Sequence, residues 1–286
     1  LTPACTSFTD SFMKRIRIPA QEHMSLRVDT SSQRPGPIAA IIGGLSRSGT
    51  TMLWETCNRH PAISLTYEFA NFRNLGRSYW KYRRDLIKRW KNPRIGKREW
   101  REPSFRRAYL GRLRRHWRHR IDADVVRSLL QPAFPAVRVI GDKYPRYVFW
   151  LKELSRDTSL KRIIIYRDCR DVTSSFLHRV RTDWKGLDFI KEVSTAERIA
   201  MRWVEAMKMT EEYRQHLHVI RYEDLVQNPT PILRGLGEYL EVESTAFPTQ
   251  HIHVDSVGNY RRGLSTDELE SVVEVAGPTM RRLGYY

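Results

Sequence analysis

Residues 41–54 read IIGGLSRSGTTMLW, an apolar run that passes through two glycines into a loop and then into a helix start. In such a strand–loop–helix unit, the N–H groups of the loop and of the first helical turn point to one place, which favours a bound anion. Gly44 and Gly49 have the spacing of a Walker A loop, but Thr50 stands where ATP-using enzymes have a lysine, and the cation lies inside the loop at Arg47. The loop therefore predicts a site for a nucleotide 5′-phosphate, although not that of an ordinary ATP user.

Short apolar runs alternate with helical patterns along the rest of the chain. We predict strands at 37–42, 62–67, 136–140, 162–166 and 217–221, and helices at 50–58, 171–180, 194–214, 231–240 and from 265 onwards, with capping boxes at 194–197 and 265–268. This alternation predicts an α/β fold, with a P-loop-like central parallel β-sheet flanked by helices. Residues 1–36 lack periodicity and are predicted to be a loose N-terminal arm, so that 37–286 form one domain.

The net charge of +18 is concentrated in one segment. Residues 73–120 contain 19 Lys and Arg against three acidic residues, with four tryptophans between them, and we predict a basic, mainly helical insertion there. Such a segment attracts polyanions or an anionic surface, and a solvated helical face is an equally good interpretation. A basic nucleic-acid-binding protein is the non-enzyme alternative. Because no recognised nucleic-acid-binding motif accompanies the charges, nucleic acid is not the expected partner.

Several sequence features of membrane, secreted and metal-binding proteins are missing from this sequence. No apolar run approaches the roughly 20 residues of a membrane span, and the first residues do not have the pattern of a signal peptide. The three cysteines, Cys5, Cys57 and Cys169, are scattered and form neither a disulfide framework nor a metal motif. The sequence predicts a cytoplasmic protein without a bound metal and leaves the oligomeric state open.

Together with three other segments, the loop resembles that of the sulfotransferases that use 3′-phosphoadenosine-5′-phosphosulfate (PAPS). Their 5′-phosphosulfate loop has the form (Lys/Arg)-Ser-Gly-Thr-Thr, as residues 47–51 do. Residues 167–175 begin with an arginine and end with a serine, 221–229 match the family's Tyr-Glu-Asp-Leu segment, and 257–265 are similar to its C-terminal basic loop. These segments follow the family's order from about residue 38 to the C-terminus. The arginine in the loop is closer to tyrosylprotein and bacterial members than to cytosolic ones.

The resemblance implies that PAPS is the donor, that adenosine 3′,5′-bisphosphate is the product and that no metal is required. Arg167, Ser175 and one or both of the neighbouring C-terminal arginines are expected to hold the 3′-phosphate, and Tyr222 is expected to contact the adenine. Met52 occupies the position of a tryptophan that stacks on adenine in cytosolic members, so the adenine must pack differently here. The donor-binding residues implied in this way are Arg47, Ser48, Gly49, Thr50, Thr51, Met52, Arg167, Ser175, Tyr222, Arg261, Arg262 and Gly263.

Three residues are implied to carry the chemistry. By analogy with phosphoryl transfer, the protein mainly positions groups and stabilises charge. Arg47 is expected to reach the bridging oxygen and the leaving phosphate, Lys143 to contact the transferring sulfuryl group, and Glu68 to act as the general base. For Glu68 the alternative is a salt bridge to nearby arginines. The fallback bases are His178, Asp142 and His253.

A topological argument supports a shared site independently of the resemblance. Arg47, Glu68, Lys143, Arg167 and Tyr222 all follow predicted strands, and ligands of parallel α/β sheets bind beyond the carboxyl ends of the strands. The acceptor is not legible from the sequence. A small molecule or a carbohydrate is favoured, an anionic acceptor and a peptide tyrosine are further options, and O- and N-sulfation are both open. A P-loop nucleoside or small-molecule kinase is the alternative enzyme class.

Overall fold

The computed structural model describes residues 36–72, 78–90, 102–117, 122–184 and 193–286. Five strands form one sheet: β1 Ile38–Gly43, β2 Ile63–Tyr67, β3 Val139–Lys143, β4 Leu160–Tyr166 and β5 His218–Arg221. Their order across the sheet is β2-β3-β1-β4-β5, and every neighbouring pair is parallel. The α/β prediction is therefore confirmed. Apart from Gly36, the predicted N-terminal arm lies outside the described residues, as do parts of the basic insertion.

Helices follow or connect the strands. In chain order they are α1 Thr50–Arg59, α2 Tyr79–Trp90, α3 Pro103–His116, α4 Ala123–Leu130, α5 Leu151–Leu154, α6 Cys169–Arg181, α7 Ala196–Glu212, α8 Tyr222–Gln227, α9 Pro229–Leu240, α10 Tyr260–Gly263 and α11 Thr266–Arg282. A 3₁₀ helix, Pro145–Trp150, connects β3 to α5. Within the described ranges, none of these helices has the length and apolar character that a membrane crossing would need.

Both faces of the sheet are buried. In β1, Ala39 and Ile41 belong to one apolar cluster, whereas Ala40 and Ile42 belong to another, because successive strand residues point to opposite faces. The cluster on the first face includes residues of α2, α3 and α4, and the cluster on the second face includes residues of α1, α8 and α9. A third cluster joins α6, α7 and α11. A parallel sheet covered on both faces explains why its strands read as apolar runs.

The basic insertion is more than a solvated face. Its described helices, α2 and α3, are amphipathic and contribute Leu86 and Tyr109 to the core of the domain, where both are almost fully buried. Most of their Lys and Arg side chains point away from this core. The described helices confirm the helical prediction for these two segments, whereas residues 73–77, 91–101 and 118–120 of the insertion lie outside the described part.

Several predicted boundaries differ from the structure by one to three residues, and those of the third strand and of the start of α7 are among them. The third strand was predicted at 136–140 but spans Val139–Lys143, because its pairing with β1 and β2 outweighs the low strand propensity of Gly-Asp-Lys. Lys143 is thus the last residue of the strand instead of following it. The N-cap of α7 is Thr195, one residue later than the predicted capping box, and its side chain accepts a hydrogen bond from the Arg198 amide. The capping box of Ser265 and Glu268 at α11 is confirmed.

Candidate functional site

The loop between β1 and α1 leaves polar groups available for an anion. Gly49 is the N-cap of α1, and no side chain caps the helix, so the amides of the first turn are not satisfied in that way. The buried Ser48 hydroxyl has no hydrogen-bond partner among the described residues. Gly49 has φ 91°, and a Cβ there would lie 2.5 Å from the Tyr222 ring. The loop therefore packs closely on Tyr222 and presents a helix N-terminus to the anion site.

A cavity of about 610 Å³, here called the first cavity, lies at the carboxyl ends of β1, β2 and β3. Its volume is in the range of small-molecule sites. Of the residues predicted for the site, Arg47, Thr50, Thr51 and Glu68 line it. The loop that follows β1 and the loop that follows β2 thus meet where the strand-end argument placed them.

Lys143 and Glu68 form an ion pair beside this cavity. The Lys143 side chain is fully buried, its Nζ lies 2.8 Å from Glu68 Oε1, and the Glu68 side chain is 32% exposed. Lys143 Nζ also lies 3.6 Å from the centroid of the Tyr67 ring and donates to Thr51 Oγ1 at 3.5 Å. The salt bridge predicted as the alternative role of Glu68 therefore exists, but its partner is a second candidate catalytic residue and not an arginine.

Asp142 holds the turn that presents Glu68. Glu68 and Ala70 both have left-handed backbones, with φ 55° and 57°. The Asp142 carboxylate accepts hydrogen bonds from the Phe69 and Ala70 amides at 3.1 and 2.8 Å, and from the hydroxyls of Thr66 and Tyr147. Burial raises the pKa of Asp142 to about 6, while the hydrogen bonds act in the opposite direction. A fully buried carboxylate with four donors cannot reach an acceptor, so Asp142 is excluded as a fallback base.

Asp142→Asn should destabilise the protein by about 1–3 kcal/mol at pH 7, because an amide group would set its own N–H against buried donors. The raised pKa means that the folded state binds the proton more tightly than the unfolded state does. The contribution of this carboxyl to the free energy of unfolding is therefore largest below pH 3.8 and declines as the pH rises to about 6. Thermal unfolding should be measured between pH 4 and 8. The decline in stability that the Asp142 carboxyl causes as the pH rises to about 6 should be absent from the Asp142→Asn variant. Unchanged stability at pH 7 would contradict the structural role.

A second cavity of about 380 Å³ is lined by Arg167, Ser175, Arg262 and Gly263, all of which were predicted to bind the donor. The Arg167 guanidinium lies 3.2 Å from Asp171 and 4.6 Å from the Tyr222 ring centroid, and its buried Nε has no hydrogen-bond partner among the described residues.

Asp171 shapes the wall of the second cavity. It accepts hydrogen bonds from the amides of Gly258 and Tyr260 at 2.8 and 2.9 Å. Through these two bonds, α6 holds the C-terminal basic loop against the cavity. Arg261 does not line the cavity, because its exposed side chain lies over the Tyr260 ring instead.

The two cavities are adjacent. Arg47 lines the first and Ser175 the second, and Arg47 Nε donates to Ser175 Oγ at 2.8 Å. Residues that were predicted to bind different phosphates of one nucleotide thus contact each other. Tyr222 is only 5% exposed beneath Gly49 and Arg167, and neither it nor Met52 lines a cavity. Their predicted contacts with adenine remain predictions.

The histidine fallback bases lie away from Glu68. His178 is exposed on α6 and lines the second cavity, and His253 is exposed and lines neither cavity. Sequence reasoning missed several residues of the first cavity, including Arg89, Arg146, Phe149, Trp184 and Arg202. Arg146, three residues after Lys143, could have been found from its position near a strand end. Arg89 was hidden among the 19 basic residues of the insertion.

Fold and site together define an α/β protein with a glycine-rich strand–loop–helix unit and two adjoining cavities that arginines line. The model of a protein family described as "Sulfotransferase family" matches residues 39–246. The chain therefore belongs to the sulfotransferase family, and it is an enzyme that transfers sulfuryl groups, as the resemblance implied. Neither the kinase nor the nucleic-acid-binding alternative is favoured.

Solved structures support the same fold. The sulfotransferase domain of the olefin synthase from Synechococcus PCC 7002 has a TM-score of 0.53 and 21% identity, with 86% of this chain and 96% of that chain covered. The sulfotransferase domain from the curacin biosynthetic pathway has a TM-score of 0.50 and 18% identity, with 85% and 91% covered. Comparison with curated proteins found no match.

Proposed function

We propose that this sulfotransferase takes its sulfuryl group from PAPS and transfers it to the hydroxyl of a small acceptor, with Glu68 as the general base. The observation that carries the proposal is the adjacency of the two anion sites, which the 2.8 Å contact between Arg47 and Ser175 joins. PAPS carries its 5′-phosphosulfate and its 3′-phosphate on one ribose. A donor of this kind requires two neighbouring clusters of cations and hydrogen-bond donors, and an AMP site would require only one.

The residues present fit such a donor. The uncapped start of α1 and the unpartnered Ser48 hydroxyl suit the 5′ end, with amides from Thr50 and Thr51 as donors. Arg167, Ser175 and Arg262 suit the 3′-phosphate, because guanidinium groups bind phosphate in a bidentate manner and Arg167 Nε has no other partner. Gly263 lines the same cavity, and a Cβ there would lie 2.0 Å from Ser174 Oγ, so the glycine allows the C-terminal basic loop to pack against α6.

PAPS, when bound, would supply the sulfuryl group, and the side chains of this protein would manage the charge and the proton. Glu68 reaches the first cavity and would accept the proton of the acceptor hydroxyl. Lys143, 2.8 Å from Glu68, keeps a positive charge beside the carboxylate and beside the site of transfer. Arg47 would stabilise the charge that develops on the leaving phosphate.

Adenosine 3′,5′-bisphosphate should raise the melting temperature by several degrees, and AMP and ATP should raise it far less. The physical reason is mass action: a ligand at 100 times its Kd adds about 2.7 kcal/mol to the free energy of unfolding. Arg262→Gln should weaken bisphosphate binding about tenfold or more, with little effect on AMP, because it removes a donor to the 3′-phosphate alone.

Arg261→Gln is the matched comparison, since it changes the neighbouring residue, which does not line the second cavity. It should weaken bisphosphate binding less than Arg262→Gln does. Thermal unfolding and titration calorimetry measure both effects. Equal stabilisation by ATP and by the bisphosphate would contradict the proposed donor and favour a kinase.

A further inference from the structure

The walls of the first cavity combine arginines with aromatic rings. Among the described residues, five arginines line it but only two carboxylates, so the lining carries excess positive charge. Five aromatic side chains supply flat apolar surface. The arginines are Arg47, Arg89, Arg146, Arg179 and Arg202, the carboxylates are Glu68 and Asp183, and the aromatic residues are Tyr67, Tyr144, Phe149, Phe176 and Trp184.

Two of these arginines are already ion-paired within the protein. Arg179 pairs with Asp183, one turn further along the chain. Arg202 pairs with Glu205 at 2.6 Å and lies 3.9 Å from the centroid of the Phe149 ring. Their charges are therefore largely compensated, and Arg202 shapes the wall of the cavity together with the Phe149 ring.

Arg89 and Arg146 differ from this pattern, because within the described part of the chain neither forms a salt bridge with a carboxylate. Arg89 donates to the backbone carbonyl of Glu68, and its guanidinium lies 5.4 Å from the centroid of the Tyr144 ring. This contact fixes Arg89 next to the candidate base. Arg146 is half-buried in the turn that follows β3 and Tyr144. The nearest negative charge that acts on Arg89 is Glu68, which is already ion-paired with Lys143. Two arginines that line a cavity without an ion-paired carboxylate of their own favour an additional anion there.

The position of this pair separates it from the donor site. The glycine-rich loop follows β1 and Arg167 follows β4, whereas Arg146 follows β3 and Arg89 contacts the residue that follows β2. Strands β3 and β2 form one side of the sheet. Arg89 and Arg146 therefore lie on the same side of the sheet as Glu68, away from Arg167 and next to the candidate base.

We propose that the acceptor is a flat, largely apolar molecule with an anionic group besides its hydroxyl, that Arg89 and Arg146 bind this group, and that the aromatic walls cover the rest. This inference rests on the proposed function, because it concerns the acceptor of the same reaction. It also gives the basic insertion a role. Arg89 belongs to α2, and the exposed Lys81, Arg84 and Lys88 of that helix add to the positive field that attracts an anionic acceptor.

The test is a binding measurement with a matched pair of probes. Hydroxynaphthoate and naphthol, with the hydroxyl at the same ring position, differ by one carboxylate. Titration calorimetry, with and without adenosine 3′,5′-bisphosphate, should give at least about tenfold tighter binding of hydroxynaphthoate, the ratio expected of one charge-assisted contact. Added salt should weaken the binding of hydroxynaphthoate more than that of naphthol.

Substitutions test whether Arg89 and Arg146 cause the preference for hydroxynaphthoate over naphthol. Arg89→Gln and Arg146→Gln should each remove most of the preference for the carboxylate, and Arg89→Lys should restore part of it by returning the charge. Arg107→Gln, at an exposed position of α3 that lines neither cavity, should keep the preference of the parent. Melting temperatures close to that of the parent show that each variant is folded.

Equal affinities for the two probes, or no binding of hydroxynaphthoate, would overturn the proposal. A preference that survives both Arg89→Gln and Arg146→Gln would overturn the assignment to these residues. Because this binding does not need the donor, the outcome is separable from the proposed function. A protein that prefers hydroxynaphthoate but does not bind the bisphosphate would retain this inference and lose the PAPS proposal.

Discussion

Glu68→Gln should reduce sulfuryl transfer about 10²–10⁴-fold, the usual effect of losing a general base, while binding of adenosine 3′,5′-bisphosphate stays nearly unchanged. Glutamine is nearly isosteric with glutamate, and its carbonyl oxygen can still accept the hydrogen bond from Lys143, but it cannot take the proton of the acceptor. The left-handed turn at Glu68 is held by Asp142 through other residues, so the substitution should not disturb it. The residues proposed to bind the 3′-phosphate line the second cavity, to which Glu68 does not contribute.

Turnover with PAPS and calorimetric titration with the bisphosphate should be measured on the same preparations. Glu270→Gln is a suitable control, because Glu270 is exposed on α11 and lines neither cavity, and it should change neither quantity. If Glu68→Gln loses both activity and bisphosphate binding, Glu68 maintains the structure. If activity is retained, Glu68 is not the base, and His178 and His253 become the candidates.

Lys143→Met and Arg47→Ala should both lower turnover, and at least one of them should lower it by about 100-fold or more, by analogy with the loss of an oxyanion-hole donor. Methionine is the better replacement for Lys143, because this side chain is fully buried and a smaller residue would leave a cavity. Its removal takes away the charge 2.8 Å from Glu68, and with it the cation proposed to act on the transferring group.

The contact between Lys143 and Glu68 makes a further test possible. Groups that act as a unit are not additive, so Glu68→Gln combined with Lys143→Met should cost little more than the more severe single variant. Lys152→Met, at an exposed position of α5, is the control. Single-turnover rates measure the chemical step directly. Normal turnover in both Lys143→Met and Arg47→Ala would exclude their catalytic roles, and full additivity would show that Lys143 and Glu68 act separately.

The class of fold and the positions of the loops that form the site could be predicted from the sequence alone. The glycines at 44 and 49 indicate backbone conformations and close contacts that a side chain would prevent. Gly49 is an example, because its φ is 91° and a Cβ there would collide with the Tyr222 ring. Apolar runs with helical segments between them determined the parallel sheet, because only strands buried on both faces have that pattern. Strand ends then indicated Arg47, Glu68 and Arg167, since the carboxyl ends of parallel strands lie at one edge of the sheet.

Which of these side chains contact one another depends on tertiary packing and could not be predicted from the sequence. The pairing of Lys143 with Glu68 depends on the register of β2 against β3, where Tyr67 lies opposite Lys143, and residues 75 positions apart leave no local signal of this. The contact of Arg47 with Ser175 likewise joins loops from two strands. The role of Asp142 depends on its burial, and Arg89 differs from the other arginines of the insertion only because packing of α2 brings it to the cavity. Charge and periodicity are properties of the linear sequence, whereas strand register and burial arise only when distant segments pack together.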